Sequence, residues 1–526
     1  MSADDQRQLG VGGQPMFIMS EDAQRTQGRD AQTANISAGK AIAEAVRTTL
    51  GPNGMDKMLV SDGGDVVITN DGATILEEMD IEHPAAEMIV EVAEAQEDEV
   101  GDGTTTAAVL AGKLLAEAED LLDQDVHPTT VVQGYALARE AAVETVAESS
   151  LDTELDDDTL QAVAESSMTG KGTGGITAER LAEAIVDAVR EVEADGVDRD
   201  AVNVVTQSGR SSTATELIEG VIAELEPLDD AMPRSVEDAA VAVVDDDLEN
   251  RETDIDVEYN VTSAQQLSDA VAAEERQLAE YAEDIVATGA DVVFVTGDVA
   301  DRTASRLARE GVLAFDGVDD DDANAVLAAT GATRVRDVDE LDGDALGAAG
   351  TVRIERFDED EMVFVEGGAG ERAITLFVRG GTGHVLDELE RAVTDGVDSA
   401  VAAVKGGVVP GAGTTEIEIA RAIRSTAASV EGREQLAVEA FADAVDAIPR
   451  TLAENAGMDP IDALVDLRAH NEDGRAGVIG AGRTAGIADP IENGVLDPAD
   501  VKREALESAT EAATMIVRID DVISAE

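Results

Sequence analysis

The chain has 526 residues, of which 114 are Asp or Glu and only 37 are Lys or Arg, for a formal net charge of −77. Phosphate backbones and anionic bilayers are bound by clustered Lys and Arg, so this balance excludes nucleic acid and membrane surfaces as partners. A hydrophobic fraction of 44% is too high for a disordered acidic chain, so the acids coat a folded protein of roughly two to four domains.

Aromatic residues make up 2%, Trp is absent, and Lys occurs only at Lys40, Lys57, Lys113, Lys171, Lys405 and Lys502. Such a surface repels itself in dilute buffer, whereas a Debye length of about 3 Å near 1 M salt screens the repulsion. The composition resembles that of cytosolic proteins from salt-accumulating halophiles. The lack of Cys excludes disulfides, thiolate metal sites and cysteine nucleophiles. The first 25 residues carry no basic segment and only a short apolar run at 16–19, unlike a signal peptide. No stretch approaches the roughly 18 apolar residues of a spanning helix, and a cytoplasmic location is predicted.

In chain order, the spacing of Ile42, Val46 and Leu50 predicts a helix over 30–50, stopped by Gly51-Pro52. KMLVSDGGDVVITNDG (57–72) predicts a hairpin around Asp62-Gly63-Gly64, and a mostly helical stretch then runs to about 150. Within it GDGTTT (101–106) precedes a helix in which Ala107, Ala111 and Leu115 share a face with Leu110, Leu114 and Ala118. The middle third alternates short apolar strands, VAVV (241–244), VVFV (292–295) and VLAF (312–315), with helices. ADVVFVTGDVADRTASRLAREGVLAF reads as a β-α-β unit of a parallel sheet. Residues 351–357 and 361–367 predict a hairpin, the pattern turns helical from 384, and VKREALESATEAATM predicts a last helix before a strand-like MIVRI (515–519). Helical outer thirds around an α/β middle predict a nested architecture, a helical domain built from both chain ends with an α/β insertion.

GDGTTT is the strongest chemical signal. Its glycines let backbone approach a ligand, and unpaired N–H groups at a helix start make an anion site. Asp102 is wrong for phosphate but right for a Mg²⁺ that accompanies it; a capped Gly-Asp-Gly turn is the alternative. No Gly-Lys-Ser/Thr follows, so this is not a Walker A loop. TNDGATIL (69–76) sets Asp71 between strand and helix, where plain turn chemistry is the simpler reading. VVPGAGTTEIEIA (408–420) is a third glycine loop ahead of a helix, suited to a ribose or base. Asp395, between Val393 and Val397, reads by itself as part of a solvated helix face. His83, His127, His384 and His470 have no metal-ligand or triad spacing.

Taken together, LGPNGMDKML (50–59), VVITNDGATIL (66–76), residues 82–115 and VVPGAGTTEIE resemble the group II chaperonins, the archaeal thermosome family. The resemblance spans essentially the whole chain and includes DQDVHPTTVVQGY (123–135), SMTGKG (167–172), residues 378–396 and residues 497–523. It implies a multidomain α/β (α+β) fold. A helical equatorial ATPase domain would come from 1–150 and 403–526. An α/β intermediate hinge domain would comprise 151–218 and 373–402, and an α/β apical substrate domain with a helical lid protrusion would span 219–372. It further implies an ATP-dependent chaperone that encloses unfolded polypeptide. Identical or sibling subunits would form stacked eight- or nine-membered rings.

By the same resemblance Asp102 would ligate Mg²⁺ while Gly103, Thr104, Thr105 and Thr106 cradle the phosphates of ATP. Gly51, Pro52 and Gly72 would border the nucleotide. Asp395 would orient the attacking water as the principal catalytic carboxylate, with Asp71 assisting, and Lys171 would sense the γ-phosphate. Gly411 and Gly413 would contact sugar or base, and Asp497 the ribose hydroxyls. Segment 261–286 resembles the lid protrusion, with a Ser263/Gln266 capping box and an apolar stripe of Leu267, Val271, Leu278 and Ile285. Its N-terminal half is the candidate client surface; its C-terminal half is expected to pack on its own domain.

Three departures stand out: Asn53 where relatives often carry Lys, no Gly/Met-rich tail after ISAE, and an unusually acidic ELEPLDDAMP (224–233). The rival reading is a passive holdase or structural ring without productive ATP turnover. A small-molecule kinase is disfavoured, because the catalytic loops fall in a helical domain with no evident acceptor pocket.

Overall fold

The structure is a computed structural model. It describes the chain apart from residues 1–8, 11–14, 17–23, 62, 65, 152–154, 174–175, 194–200, 209–214, 250–263, 358–359, 371–372, 380–382, 472–473, 481 and 525–526. The chain falls into two units, one of Met1–Leu151, Val409–Asn493 and Ala499–Glu526, the other of Asp152–Val408 and Gly494–Pro498.

The N-terminal part of the first unit begins with paired β1 (Leu9–Gly10) and β2 (Pro15–Met16), then β3 (Gln24–Gln27) and α1 (Arg29–Arg47). An antiparallel hairpin of β4 (Lys57–Val60) and β5 (Val66–Thr69) follows, as predicted. The segment continues through α2 (Gly72–Glu77), α3 (Pro84–Val100), α4 (Thr104–Asp123) and α5 (Pro128–Ser149). Helices α3 and α5 start alike. His83 and His127 accept backbone N–H groups of Ala85 and Thr129, each at 3.2 Å, and Pro takes the first helical position, where its missing N–H costs nothing. The core helix is α4, apolar on nearly every side, with Ala107 to Ala111, Leu114, Leu115 and Ala118 all buried. A methyl group at Gly112 would lie 2.1 Å from the Ala43 Cβ, so α1 and α4 cross as closely as they do only because Gly112 has no side chain. Buried Tyr135 donates to the Leu114 carbonyl at 2.7 Å and meets Phe441 edge-on, with centroids 5.5 Å apart.

The second unit opens with α6 (Asp157–Met168) and α7 (Ala178–Glu193), then β6 (Val202–Gln207), β7 (Glu216–Ala223) and β8 (Ser235–Val244). It continues with α8 (Ala264–Thr288), β9 (Val292–Val295), α9 (Asp301–Glu310), β10 (Leu313–Phe315), α10 (Asp320–Thr330) and β11 (Arg334–Val335). Strands β12 (Gly347–Phe357), β13 (Asp360–Glu366) and β14 (Ile374–Arg379) lead into α11 (Gly383–Gly406). Strand order is β10-β9-β8-β12-β13-β7-β14-β6, with β11 beside β8. The predicted β-α-β unit is β9-α9-β10, its strands parallel, and the predicted hairpin is β12-β13. Two apolar cores form. One joins α6, α7 and α11 to β6 and β14 through Met168, Ile185, Leu376 and Val393; the other surrounds β8 to β10, where Phe294 and Phe315 stack at 5.1 Å. In α8, Leu278 and Ile285 are buried, so this half packs on its own sheet. Residues 261–263, and with them the Ser263 cap, lie outside the described residues, as do the side chains of Gln266, Leu267 and Val271.

The C-terminal part adds β15 (Val408–Pro410), α12 (Thr414–Ala427), α13 (Glu434–Val445), α14 (Ala447–Asn455) and α15 (Pro460–His470). Next come the antiparallel pair β16 (Gly477–Ile479) and β17 (Gly486–Ala488), β18 (Leu496–Pro498) in the second unit, α16 (Ala499–Val517) and β19 (Asp521–Ser524). One expectation is corrected here. MIVRI is no strand: α16 continues through Val517 because Ile516 and Val517 extend the buried stripe of Ala509, Ala512 and Ala513. The strand is Asp521–Ser524, antiparallel to β3.

A chain this acidic also crowds carboxylates. Burial, with repulsion from Asp319, Asp321, Glu224 and Glu390, pushes the Asp322 carboxyl up to about 7. An unfolded Asp titrates near about 4, so the folded state is penalised above that pH, and fully so above 7. Asp322→Asn is therefore expected to raise unfolding free energy at pH 8, with the gain shrinking below 7 and vanishing near 4. Denaturant melts across that range check this, and a gain independent of pH would contradict it.

Candidate functional site

In the first unit three glycine loops run into helix N-termini. The central one follows α3, where Gly101 caps the helix in the left-handed region and Gly103, at φ 86°, launches α4. No acidic side chain occupies the first turn of α4, so the N–H groups and dipole at its start suit an anion. Buried Thr104 begins the helix, and Thr105 and Thr106 follow half-buried. The Asp102 carboxylate takes the Gly103 N–H at 2.6 Å, which aims it at the same turn.

The second loop reaches this one directly. Asp71 caps α2 by accepting the Thr74 N–H at 2.8 Å, so the turn chemistry expected for Asn-Asp-Gly is present. Gly72 lies against Thr105, and a Cβ there would stand 2.4 Å from its Oγ1 and 2.9 Å from its backbone N. Asp71, Gly72, Asp102 and Thr104 to Thr106 are thus brought together by one backbone contact.

The other two glycines meet on α14. A Cβ at Gly51 would strike Leu452 Cδ2 at 2.4 Å, and one at Gly413 would strike Pro449 Cβ at 2.8 Å and Leu452 Cδ1 at 3.5 Å. Pro52 and Gly411 flank these positions. The loop before α12 is braced from within: Thr415 donates to Pro410 O at 2.7 Å, Thr414 to Ala476 O at 3.0 Å, and buried Asn471 donates to Thr414 O at 3.1 Å. Asn53 donates to the Gly480 carbonyl at 3.4 Å.

Asp395, Lys171 and Asp497 belong to the second unit. The reading of Asp395 as a solvated helix-face residue is overturned: it is 7% exposed on α11 and forms an ion pair with Lys171. The turn after α6 delivers that lysine, and the Gly172 N–H beside it donates to Glu388, two turns earlier on α11, at 2.9 Å. A methyl group at Gly172 would overlap Glu388, so SMTGKG lies flat on one face of α11. Asp497 is half-buried on β18.

Sequence reasoning passed over two residue sets. Buried Gln96, on α3, donates to Asp102 O at 2.7 Å and to Val501 O at 3.2 Å. Its signal was a polar residue on the stripe of Ile89, Val92 and Ala93. Buried Glu416, in the first turn of α12, pairs with Lys502 at 2.6 Å; the scarcity of lysine was the available clue.

The first unit thus presents a helix start beside an acidic turn, chemistry suited to a phosphate with its metal, and the second unit holds a buried lysine-carboxylate pair. The comparisons make the class specific. The chain matches the TCP-1/cpn60 chaperonin family over residues 42–526 and belongs to it. It is 61% identical over 518 residues to thermosome subunit 3 of Haloferax volcanii, covering 98% of this chain and 99% of that one. It is 51% identical over 518 residues to thermosome subunit alpha of Halobacterium salinarum, covering 98% and 92%. To a thermosome subunit of Methanopyrus kandleri it is 49% identical over 531 residues, covering 98% and 96%. It is accordingly a ring-forming, ATP-hydrolysing chaperone subunit. No helix among the described residues is long and apolar enough to cross a membrane.

Gly72→Ala tests the loop contact. Overpacking at a site that cannot yield costs about 1–3 kcal/mol; relieved by pushing the loop off Thr105, it is expected to lower nucleotide affinity by about 5- to 150-fold. Isothermal titration with ATP checks this, and wild-type affinity in the folded variant would contradict it.

Proposed function

We propose that the α4 N-terminus is the phosphate site of the ATPase, with Asp102 holding Mg²⁺, Gly103 to Thr106 and Gly72 around the phosphates, and Gly51, Pro52, Gly411 and Gly413 bordering sugar and base. The supporting observation is the Gly72–Thr105 contact, which joins two glycine loops and two carboxylates at one helix start with no acidic residue in its first turn. A single half-buried carboxylate suits Mg²⁺, which is typically held by one or two carboxylates plus substrate phosphates and water. When bound, Mg²⁺ neutralises phosphate charge, and in a chain of net charge −77 few cations are available to do so.

Asp395 is the carboxylate that orients the attacking water, assisted by Asp71. Phosphoryl transfer to water depends on such positioning more than on covalent help. Lys171 senses the γ-phosphate. Asp497 takes the ribose hydroxyls. The domain limits are 1–150 and 403–526 for the equatorial part, 151–218 and 373–402 for the hinge, and 219–372 for the client-binding part. Identical or sibling subunits form stacked eight- or nine-membered rings in the cytoplasm around unfolded polypeptide. Met58, Val60 and Ile68 stand exposed on the β4-β5 hairpin, with exposed Met55 just before it, an apolar face fitted to contact a neighbouring subunit.

Asp395→Ala is expected to retain ATP binding and lose about 10²–10⁴ in turnover, as for removal of a general base. Steady-state hydrolysis beside equilibrium binding checks this, and hydrolysis at the wild-type rate would sink the assignment. In molar salt, the wild type should refold a denatured client with ATP and the variant should not. Refolding that is indifferent to ATP would favour the passive holdase.

A further inference from the structure

Gln96 has two properties that packing alone does not explain. It is fully buried on an apolar helix face, and its Oε1 has no partner among the described residues. A residue selected for fill would be Leu or Met. The amide is held there by its donor end, because Nε2 faces two carbonyl oxygens, Asp102 O at 2.7 Å and Val501 O at 3.2 Å. Turning the amide over would set oxygen against oxygen twice, so the hydrogen-bond network settles its orientation.

The contact with Asp102 controls more than one carbonyl. A planar trans peptide points its C=O and N–H in opposite directions. With the Asp102 carbonyl drawn to Gln96, the N–H of the same peptide, that of Gly103, points away and donates to the Asp102 carboxylate at 2.6 Å. The bond from Gln96 to Val501, 405 residues further along the chain, ties this peptide to the start of α16. Gly103 permits the approach, since a Cβ there would stand 2.7 Å from Val501 Cγ1 and 3.0 Å from Gln96 Nε2.

We infer that Gln96 is a positioning residue: it sets the plane of the Asp102–Gly103 peptide, and through it the aim of the Asp102 carboxylate at the metal-nucleotide complex. The inference rests on the reading of Asp102 as the carboxylate that holds Mg²⁺. Groups that orient a metal-binding side chain set metal affinity by about 10–100-fold.

The test is binding, not turnover. A fluorescent ADP analogue is titrated onto the assembled protein in molar KCl, with and without MgCl₂, for wild type, Gln96→Met and Asp102→Asn. Gln96→Met keeps the volume and removes the donor. It is expected to raise the half-saturating Mg²⁺ concentration about tenfold or more while metal-free binding is unchanged. A shift in Asp102→Asn with none in Gln96→Met would overturn the inference and leave the Asp102 reading standing. No shift in either would overturn both. Equal weakening with and without Mg²⁺ would mark Gln96 as general support and overturn the inference. Should Gln96→Met fail to assemble, Gln96→Asn, too short to span both carbonyls, is read against the same outcomes.

Discussion

The burial of α4 on nearly all sides is the constraint on which the first unit depends. A helix whose N-terminal half is packed on nearly every side has little freedom to rotate or slide without opening cavities, so its N-terminus becomes a fixed point. The Gly112–Ala43 approach locks α1 against it, and Tyr135 locks α5 through the Leu114 carbonyl. The anion-binding turn at Gly103 is thus supported by the largest apolar core of that unit. The glycine loops add little rigidity of their own; they borrow it from the helices they launch.

Charge is the second constraint. With 37 cations against 114 acids, each buried cation is a selective placement. Among the described residues, Lys40 pairs with Glu119, Lys171 with Asp395 and Lys502 with Glu416, and the last two pairs are largely buried. Asp446, fully buried, is held by Arg424 and Arg468 together. Removing one partner of a largely buried pair such as Lys502–Glu416 leaves an uncompensated charge and costs about 3–5 kcal/mol. Exposed pairs such as Arg29–Asp123 contribute about 0–1 kcal/mol and less in molar salt. The working electrostatics of this protein are therefore in its interior, where the salt that screens its coat does not reach.

Much of the fold was legible because the signals were local. The β4-β5 hairpin and β9-α9-β10 follow from periodicity and turn chemistry within a few residues, whereas α1, expected to run to Leu50 before Gly51-Pro52, already ends at Arg47. The failure at MIVRI is equally local in cause. A β-branched run reads as a strand until tertiary packing supplies a partner for Ile516 and Val517 on a helix face. Asp395 failed in the opposite direction, for an acid between two valines reads as solvent-facing unless its counter-ion, more than two hundred residues away, is known.

By itself the sequence determined the halophilic coat, the nested order of helical and α/β segments, and the glycine loops that carry the family's motifs. Each depends on composition or on residues close in the chain. Only the tertiary structure decided that Gly72 seats on Thr105, that Gln96 grips the Asp102 peptide while reaching α16, and that Asp395 is buried against Lys171. Those are contacts between segments distant in sequence. Their energetics depend on desolvation and exact approach, which no local pattern of residues encodes.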